Sequence, residues 1–177
     1  MQVTFNQLFV QQFPDASLVS EGQGYMWLDF RVEARTVAGQ PVDQKLGRWP
    51  TSEATGVDLG VPTPVAQSFT VLLTEGQNLI ISVNGTQAED YYGSSPITSM
   101  GTASRVHSSA DAWGSQGGAQ SITSGPTTGC PNGCFQLQYT VQVNWINPLT
   151  SPHIQRCARC APNAAMLQGS RIGGSSA

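Results

Sequence analysis

The sequence predicts an all-β protein, an antiparallel β-sandwich with a long Gly/Ser-rich loop and a mostly irregular C-terminal tail. Its dominant pattern is the alternation of apolar and polar residues with a period of two, which is typical of half-buried strands. Helical periodicity is scarce, and the only candidate is a short segment, PNAAMLQGS at 162–170. Short strands separated by Gly and Pro favour a sandwich over a fold of alternating strands and helices.

Two strands are predicted in the N-terminal part of the chain. The run from Val3 to Val10 favours the first. In the segment GYMWLDFRVEAR, apolar side chains occupy one side, namely Met26, Leu28, Phe30, Val32 and Ala34. Charged side chains occupy the other side, namely Asp29, Arg31, Glu33 and Arg35. This alternation predicts a second strand that turns one face towards the core.

A structured connection and a hairpin are predicted in the middle of the chain. Residues 39–66 contain Pro41, Pro50, Pro62 and Pro64 without clear periodicity, so we expect an irregular link. The following SFTVLLTEGQNLIISVNG predicts a hairpin with its turn at Glu75–Asn78. Its inward residues would be Phe69, Val71, Leu73, Leu79, Ile81 and Val83. The NGT triplet at 84–86 matches a glycosylation sequon, but we interpret Asn-Gly as a turn after the strand.

A long loop and a closing strand are predicted next. Residues 93–129 are rich in Gly, Ser and Thr and lack periodicity, with Val106 and Trp113 as their main apolar anchors. In FQLQYTVQVNW, six apolar residues alternate with polar ones, which predicts a central strand over 135–145. The side chains expected to be buried there are Leu137, Val141, Val143 and Trp145. We assign the sandwich domain to 1–147 and a C-terminal extension to 148–177.

Residues 67–147 resemble the second half of C2-like β-sandwich domains. The resemblance lies in the order of EGQNLIISVNGTQAEDYYGS, SRVHSSADAWG and the closing strand FQLQYTVQVNW. It implies an eight-stranded sandwich, C2-like or jelly-roll-like, whose loops at one end bind calcium, lipid or a protein partner. The calcium-binding version needs about five loop aspartates, whereas the corresponding stretch here offers only Glu89, Asp90 and Asp111. These three residues are the candidate calcium ligands.

Composition limits the classes of partner. Charged residues make up 11% of the chain, the net charge is −3, and Lys45 is the only lysine. Nucleic acid is disfavoured because phosphate binding needs clustered Lys and Arg. No apolar run approaches the ~20 residues of a membrane span. The first residues show no basic and apolar signal-peptide pattern, and the uncharged polar surface favours a particle-associated or extracellular location.

The four cysteines form two close pairs, Cys130/Cys134 and Cys157/Cys160. A shared zinc site is one interpretation, with His153 as a substitute ligand. A straight strand over 135–145 would carry the pairs apart by ~36 Å, and the return segment spans at most ~40 Å. The return contains Pro148 and Pro152, so closure would be tight. We therefore favour local disulfides or free thiols, and no resident cofactor is expected.

Catalytic signatures are weak. The CARC segment at 157–160 lacks the preceding βαβ unit in which redox-active cysteine pairs usually occur. A hydrolase would combine His107 or His153 with Asp111 and a serine, but serines are abundant here and no G-x-S-x-G motif is present. We expect a protein that is not an enzyme.

Aromatic residues on the predicted loops suggest recognition. Tyr91 and Tyr92 follow the acidic pair, and Trp113 stands alone among Gly and Ser, so these three are the predicted binding residues. Trp113 could alternatively hold its own loop against the body of the domain. The favoured function is a structural or assembly subunit of a larger particle or appendage, such as a virion, a phage-like device or an extracellular filament. The alternative is a stand-alone C2-like or lectin-like module whose loops bind calcium, glycan or lipid headgroups.

Overall fold

The structure, a computed structural model, describes residues 1–14, 22–88, 97–125, 130 and 133–145. Within this part of the chain, nine strands and one short 3₁₀ helix at Ser109–Gly114 are present. The strands are β1 Gln2–Gln12, β2 Gln23–Thr36, β3 Pro41–Trp49, β4 Thr55–Asp58, β5 Thr63–Thr70, β6 Gln77–Ala88, β7 Ile97–His107, β8 Gln120–Thr123 and β9 Cys134–Gln142. None of the described helices is long and apolar enough to cross a membrane.

The strands form two antiparallel sheets. Sheet A has the order β5-β1-β9-β8, and sheet B has the order β3-β2-β6-β7 with β4 paired to the beginning of β2. Met1–Asn144 forms one compact unit. The predicted antiparallel β-sandwich is therefore confirmed. The helix candidate at 162–170 lies outside the described residues.

Alternating side chains of both sheets fill one core. The inward residues of β2 predicted from the sequence are all buried, from Met26 at 0% exposed to Phe30 at 2%. Rings from the two sheets meet there, with centroids of Phe5 and Phe30 4.5 Å apart and those of Phe30 and Phe69 5.6 Å apart. Burying each such side chain stabilises the fold by about 1.5–3 kcal/mol.

Three glycines of sheet B lie beneath aromatic rings. A Cβ atom on Gly24 would lie 2.7 Å from Phe13, one on Gly47 would lie 2.6 Å from Phe69, and one on Gly85 would overlap the ring of Phe135. The predicted turn at Asn84-Gly85 is wrong, because both residues lie inside β6. Gly85 is required there because the ring of Phe135 occupies the space of a side chain.

The predicted hairpin is wrong in its pairing. β5 pairs with β1 in sheet A, whereas β6 pairs with β2 and β7 in sheet B. The chain crosses between the sheets after Thr70, so the two segments face each other through the core. Val71 and the three predicted inward residues of β6 are buried, while Phe69 and Leu73 are partly buried. The alternation of apolar and polar residues shows which face of each strand is buried. A hairpin and two strands in facing sheets show the same alternation, so the sequence could not distinguish them.

Two stretches predicted as irregular contain strands. Residues 39–66 include β3, β4 and the beginning of β5, where Pro41 and Pro64 lie close to strand starts. Both β3 and β5 are edge strands, where a missing backbone donor is tolerated. Residues 93–129 include β7 and β8. A register shift in the β6–β7 pairing leaves Met100 and Ala103 both buried although three residues apart, so the sequence lacks the expected period.

The closing strand is central, as predicted, but shorter. β9 lies between β1 and β8 and ends at Gln142, which pairs with Gln2. Leu137 and Val141 are buried, whereas Val143 is only half-buried and Trp145 is 82% exposed. The expectation of burial for Val143 and Trp145 is therefore wrong, because the ladder with β1 ends before them.

Candidate functional site

The outward face of sheet B carries a groove with a volume of about 500 Å³. We call it the outer groove. Its lining combines charged, hydroxyl, amide and apolar residues, namely Asp29, Phe30, Arg31, Glu33, Arg35, Leu46, Ile80, Ser82, Asn84 and Thr102. The lining offers a ligand both charged or polar groups and apolar surface.

The register of three strands brings the groove residues together. Arg31 on β2 lies opposite Leu46 on β3 and Ser82 on β6. One step along the same face, Glu33 lies opposite Ile80 on β6. Opposed residues on neighbouring strands of one face lie about 5 Å apart, so a single ligand can contact several of them.

Two ion pairs flank the centre of the outer groove. Arg48 Nε lies 2.6 Å from Asp29 Oδ1, and Arg48 Nη2 lies 3.0 Å from Asp29 Oδ2. The hydrogen bond to Asp29 raises the pKa of Arg48. On the other side, Arg35 Nη2 lies 2.9 Å from Glu33 Oε2, and Glu33 is only 3% exposed. Glu33 is buried although it lies on the outward face, because the long side chain of Arg35 packs over its carboxylate.

Arg31 lies between these pairs and differs from both neighbouring arginines. Its side chain is exposed, and within the described part of the chain it has no ion-pair partner. A guanidinium has five N–H donors in a planar fork that matches carboxylate and phosphate groups. Arg31 is therefore the residue of the outer groove best suited to bind an anion.

A second polar cluster lies inside the sandwich, around His107. Its Nδ1 is 2.7 Å from Asp111 Oδ2, and its Nε2 is 2.7 Å from the Tyr139 hydroxyl. Partial burial works to raise the pKa of Asp111, but hydrogen bonds from His107 and from the Ser108 amide outweigh it and hold the pKa below its usual value. Burial raises the pKa of Tyr139 to about 12.

This cluster differs from the serine triad considered from the sequence. His107 does meet Asp111, but its other nitrogen contacts a tyrosine instead of a serine, and the imidazole is 1% exposed. A buried phenol with a raised pKa stays protonated at neutral pH, so it is a poor nucleophile. The cluster links β7 of sheet B to β9 of sheet A, which is a structural role.

Trp113 lies against the body of the domain. It is 7% exposed, and its Nε1 donates a hydrogen bond to the Gln77 carbonyl oxygen over 2.8 Å. These contacts fit the alternative in which Trp113 holds its own segment in place. The other two predicted binding residues, Tyr91 and Tyr92, lie outside the described residues.

The candidate metal ligands are only partly described. Asp111 is engaged by His107 and Ser108, while Glu89 and Asp90 lie outside the described residues. In the part of the chain that the structure describes, no three His, Cys, Asp or Glu residues come together as a metal site would require. Cys130 and Cys134 form a disulfide with their Cα atoms 5.5 Å apart. Cys157, Cys160 and His153 lie outside the described residues, so the arrangement of all four cysteines stays a prediction.

The outer groove was not singled out by sequence analysis. Its residues were recognised only as the polar side of a strand. A signal was nevertheless present, because four charged residues alternate along one face of β2 in a chain with 11% charged residues. Such a concentration of charge on one strand face marks a surface that differs from the rest of the protein.

Comparison with known proteins found little sequence similarity. No family description and no curated protein matches the chain. Among solved structures, a similar one is a C2 domain of plant extended synaptotagmin 1, with a TM-score of 0.41 and 10% identity. The match covers 81% of this chain and 95% of that chain. The sandwich architecture rests on the strands described above.

Proposed function

We propose that the protein is a non-catalytic binding module that holds an anionic group of its ligand in the outer groove. The observation that carries this proposal is Arg31, an exposed guanidinium without an ion-pair partner among the described residues, at the centre of the groove. Asp29 is already neutralised by Arg48, and Glu33 by Arg35. The charge of Arg31 is thus left for a ligand.

The position of Arg31 supports ligand binding over a purely structural role. A solvated arginine at the middle of a sheet face contributes little to stability. Ser82 and Asn84 beside it add polar contacts, and Leu46 adds an apolar one. This combination of one charge, several polar groups and apolar surface gives both affinity and orientation.

Calorimetric titration with anionic probes tests the proposal. The probes are an alginate hexasaccharide, tripolyphosphate, and vesicles of phosphatidylcholine with and without phosphatidylserine. We expect at least one anionic probe to bind, and Arg31→Gln to weaken it about tenfold or more, since hydrogen bonds to charged groups contribute about 1.5–3 kcal/mol. Arg105→Gln, an exposed arginine of the same sheet that does not line the groove, is the control. Equal affinity of wild type and Arg31→Gln for every probe would refute the proposal.

The assembly role expected from the low charge stays a prediction. Size-exclusion chromatography at high protein concentration tests it, because a single sharp monomer peak near 18.8 kDa would count against self-assembly. A monomer is compatible with the binding module proposed above.

A further inference from the structure

The charges around Arg31 restrict which anions the outer groove can accept. Asp29 and Glu33 lie two residues away on either side of Arg31 along the same strand face, a spacing of about 7 Å. Arg48 and Arg35 offset these two carboxylates, so three arginines against two carboxylates leave a net charge of +1, which a singly charged anion balances. A phosphate monoester carries close to two negative charges, whereas a carboxylate carries one. The surroundings of Arg31 therefore favour a singly charged carboxylate.

Glu33 offers a hydrogen-bond acceptor to a ligand. Its side chain lines the groove although the residue is only 3% exposed, and Arg35 occupies only its Oε2 atom. No described residue donates a hydrogen bond to Oε1. A ligand hydroxyl next to the ligand carboxylate would supply such a bond.

The remaining lining fits a hydroxylated ring. Thr102 Oγ1 donates to Asn84 Oδ1 over 3.3 Å, which leaves the amide NH₂ of Asn84 able to donate. Ser82 Oγ lies 3.0 Å from Ser104 Oγ and keeps further hydrogen-bonding capacity. Leu46 and Ile80 offer apolar contacts to the C–H groups of a ring.

Resting on the proposed function, we propose that the ligand of the outer groove is an acidic sugar residue of the uronic acid class within a glycan. Its carboxylate binds the guanidinium fork of Arg31. Its ring hydroxyls donate to Glu33 Oε1 and bond with Ser82 and Asn84. The ring lies between Leu46 and Ile80.

Substitution of Glu33 separates this proposal from simple anion binding. Affinities of wild type, Glu33→Gln and Arg31→Lys are measured by calorimetry for alginate hexasaccharide, neutral maltohexaose and tripolyphosphate. We expect alginate hexasaccharide to bind at least tenfold more tightly than maltohexaose. Glu33→Gln should weaken alginate binding severalfold, because the acceptor of the ring hydroxyls loses its charge. It should tighten tripolyphosphate binding, because the net charge of the groove becomes more positive. Arg31→Lys should weaken alginate binding about tenfold, since the fork is lost.

The outcomes distinguish the two proposals. Arg31-dependent binding of tripolyphosphate, with alginate no better than maltohexaose, overturns the sugar proposal and leaves the anion-binding function standing. Tighter alginate binding by Glu33→Gln also overturns it. Unchanged binding of all probes by Arg31→Gln overturns both.

If Glu33→Gln lowers the Tm, Ser82→Ala serves in its place. It should weaken alginate more than tripolyphosphate, and equal effects on the two probes contradict the sugar proposal.

Discussion

Both nitrogens of His107 have partners although the residue lies in the core. Nδ1 meets Asp111 and Nε2 meets the hydroxyl of Tyr139, which also lies 3.4 Å from Gln120 Oε1. The hydroxyl of Tyr139, which can both donate and accept, ties the imidazole to β9. At the scale of residues, this cluster joins the two sheets without an unsatisfied polar atom.

The lowered pKa of Asp111 predicts a contribution to acid stability. Because the pKa in the folded state is lower than the usual 3.8, the unfolded state binds more protons in acid. Asp111 therefore contributes fully to the free energy of unfolding above pH 3.8, the usual pKa. This contribution is lost as the pH falls through the lower pKa of the folded state. Asp111→Asn should flatten the acid limb of the stability profile, measured by urea unfolding between neutral pH and pH ~3. An acid limb as steep as that of the wild type would contradict the role of Asp111.

At the scale of elements, the contacts between glycines and rings fix how the sheets approach each other. Gly85→Ala would place a methyl group in the space that the ring of Phe135 occupies. We expect a loss of about 1–3 kcal/mol in the free energy of unfolding, as is usual for overpacked cores. Gly56→Ala in β4 is the matched control, because a Cβ atom there would lie 3.5 Å from its nearest neighbour, the side chain of Gln23, which is an ordinary contact. The explanation fails if the two variants have the same stability.

The disulfide before β9 predicts a modest effect of reduction. Cys130 and Cys134 enclose only a few residues, so opening the bond frees little chain entropy. If the four cysteines do not share a metal ion, chelators should leave the Tm unchanged, and reduction should lower it slightly. Metal analysis with native thiol alkylation tests this. One zinc per chain, with all four thiols protected until a chelator is added, would contradict the local-pair hypothesis.

The elements predicted correctly are those whose two faces differ strongly. β2 and β9 alternate apolar with charged or polar residues, so the face that each turns to the core follows from the sequence. β3 is mostly exposed and β7 is interrupted by a register shift, so neither shows the period of a half-buried strand. The pairing of β5 and β6 could not be predicted because alternation does not identify the neighbouring strand. Gly85 was misassigned because its partner, Phe135, is about fifty residues away in the sequence.

At the scale of the whole molecule, the candidate site depends on the register of three strands. The charged residues of β2 could be recognised from the sequence, but their neighbours on β3 and β6 could not, since β3 was predicted as irregular. For Trp113, a lone aromatic among small residues allowed two interpretations, a binding residue or a residue that holds its own loop against the domain. The hydrogen bond of Trp113 to Gln77 depends on the position of β6. A site whose residues come from several strands can be recognised only when the pairing of those strands is known.

The central claim is that the ligand binds on the outward face of sheet B, and NMR titration of ¹⁵N-labelled protein with alginate hexasaccharide tests it most directly. We expect the largest amide shifts at the middle of β2, β3 and β6, around Arg31, Leu46 and Ser82, and their absence in Arg31→Gln. Maltohexaose should leave these amides unchanged. Shifts concentrated instead in the segment around Trp113, or unaltered by Arg31→Gln, would contradict the account.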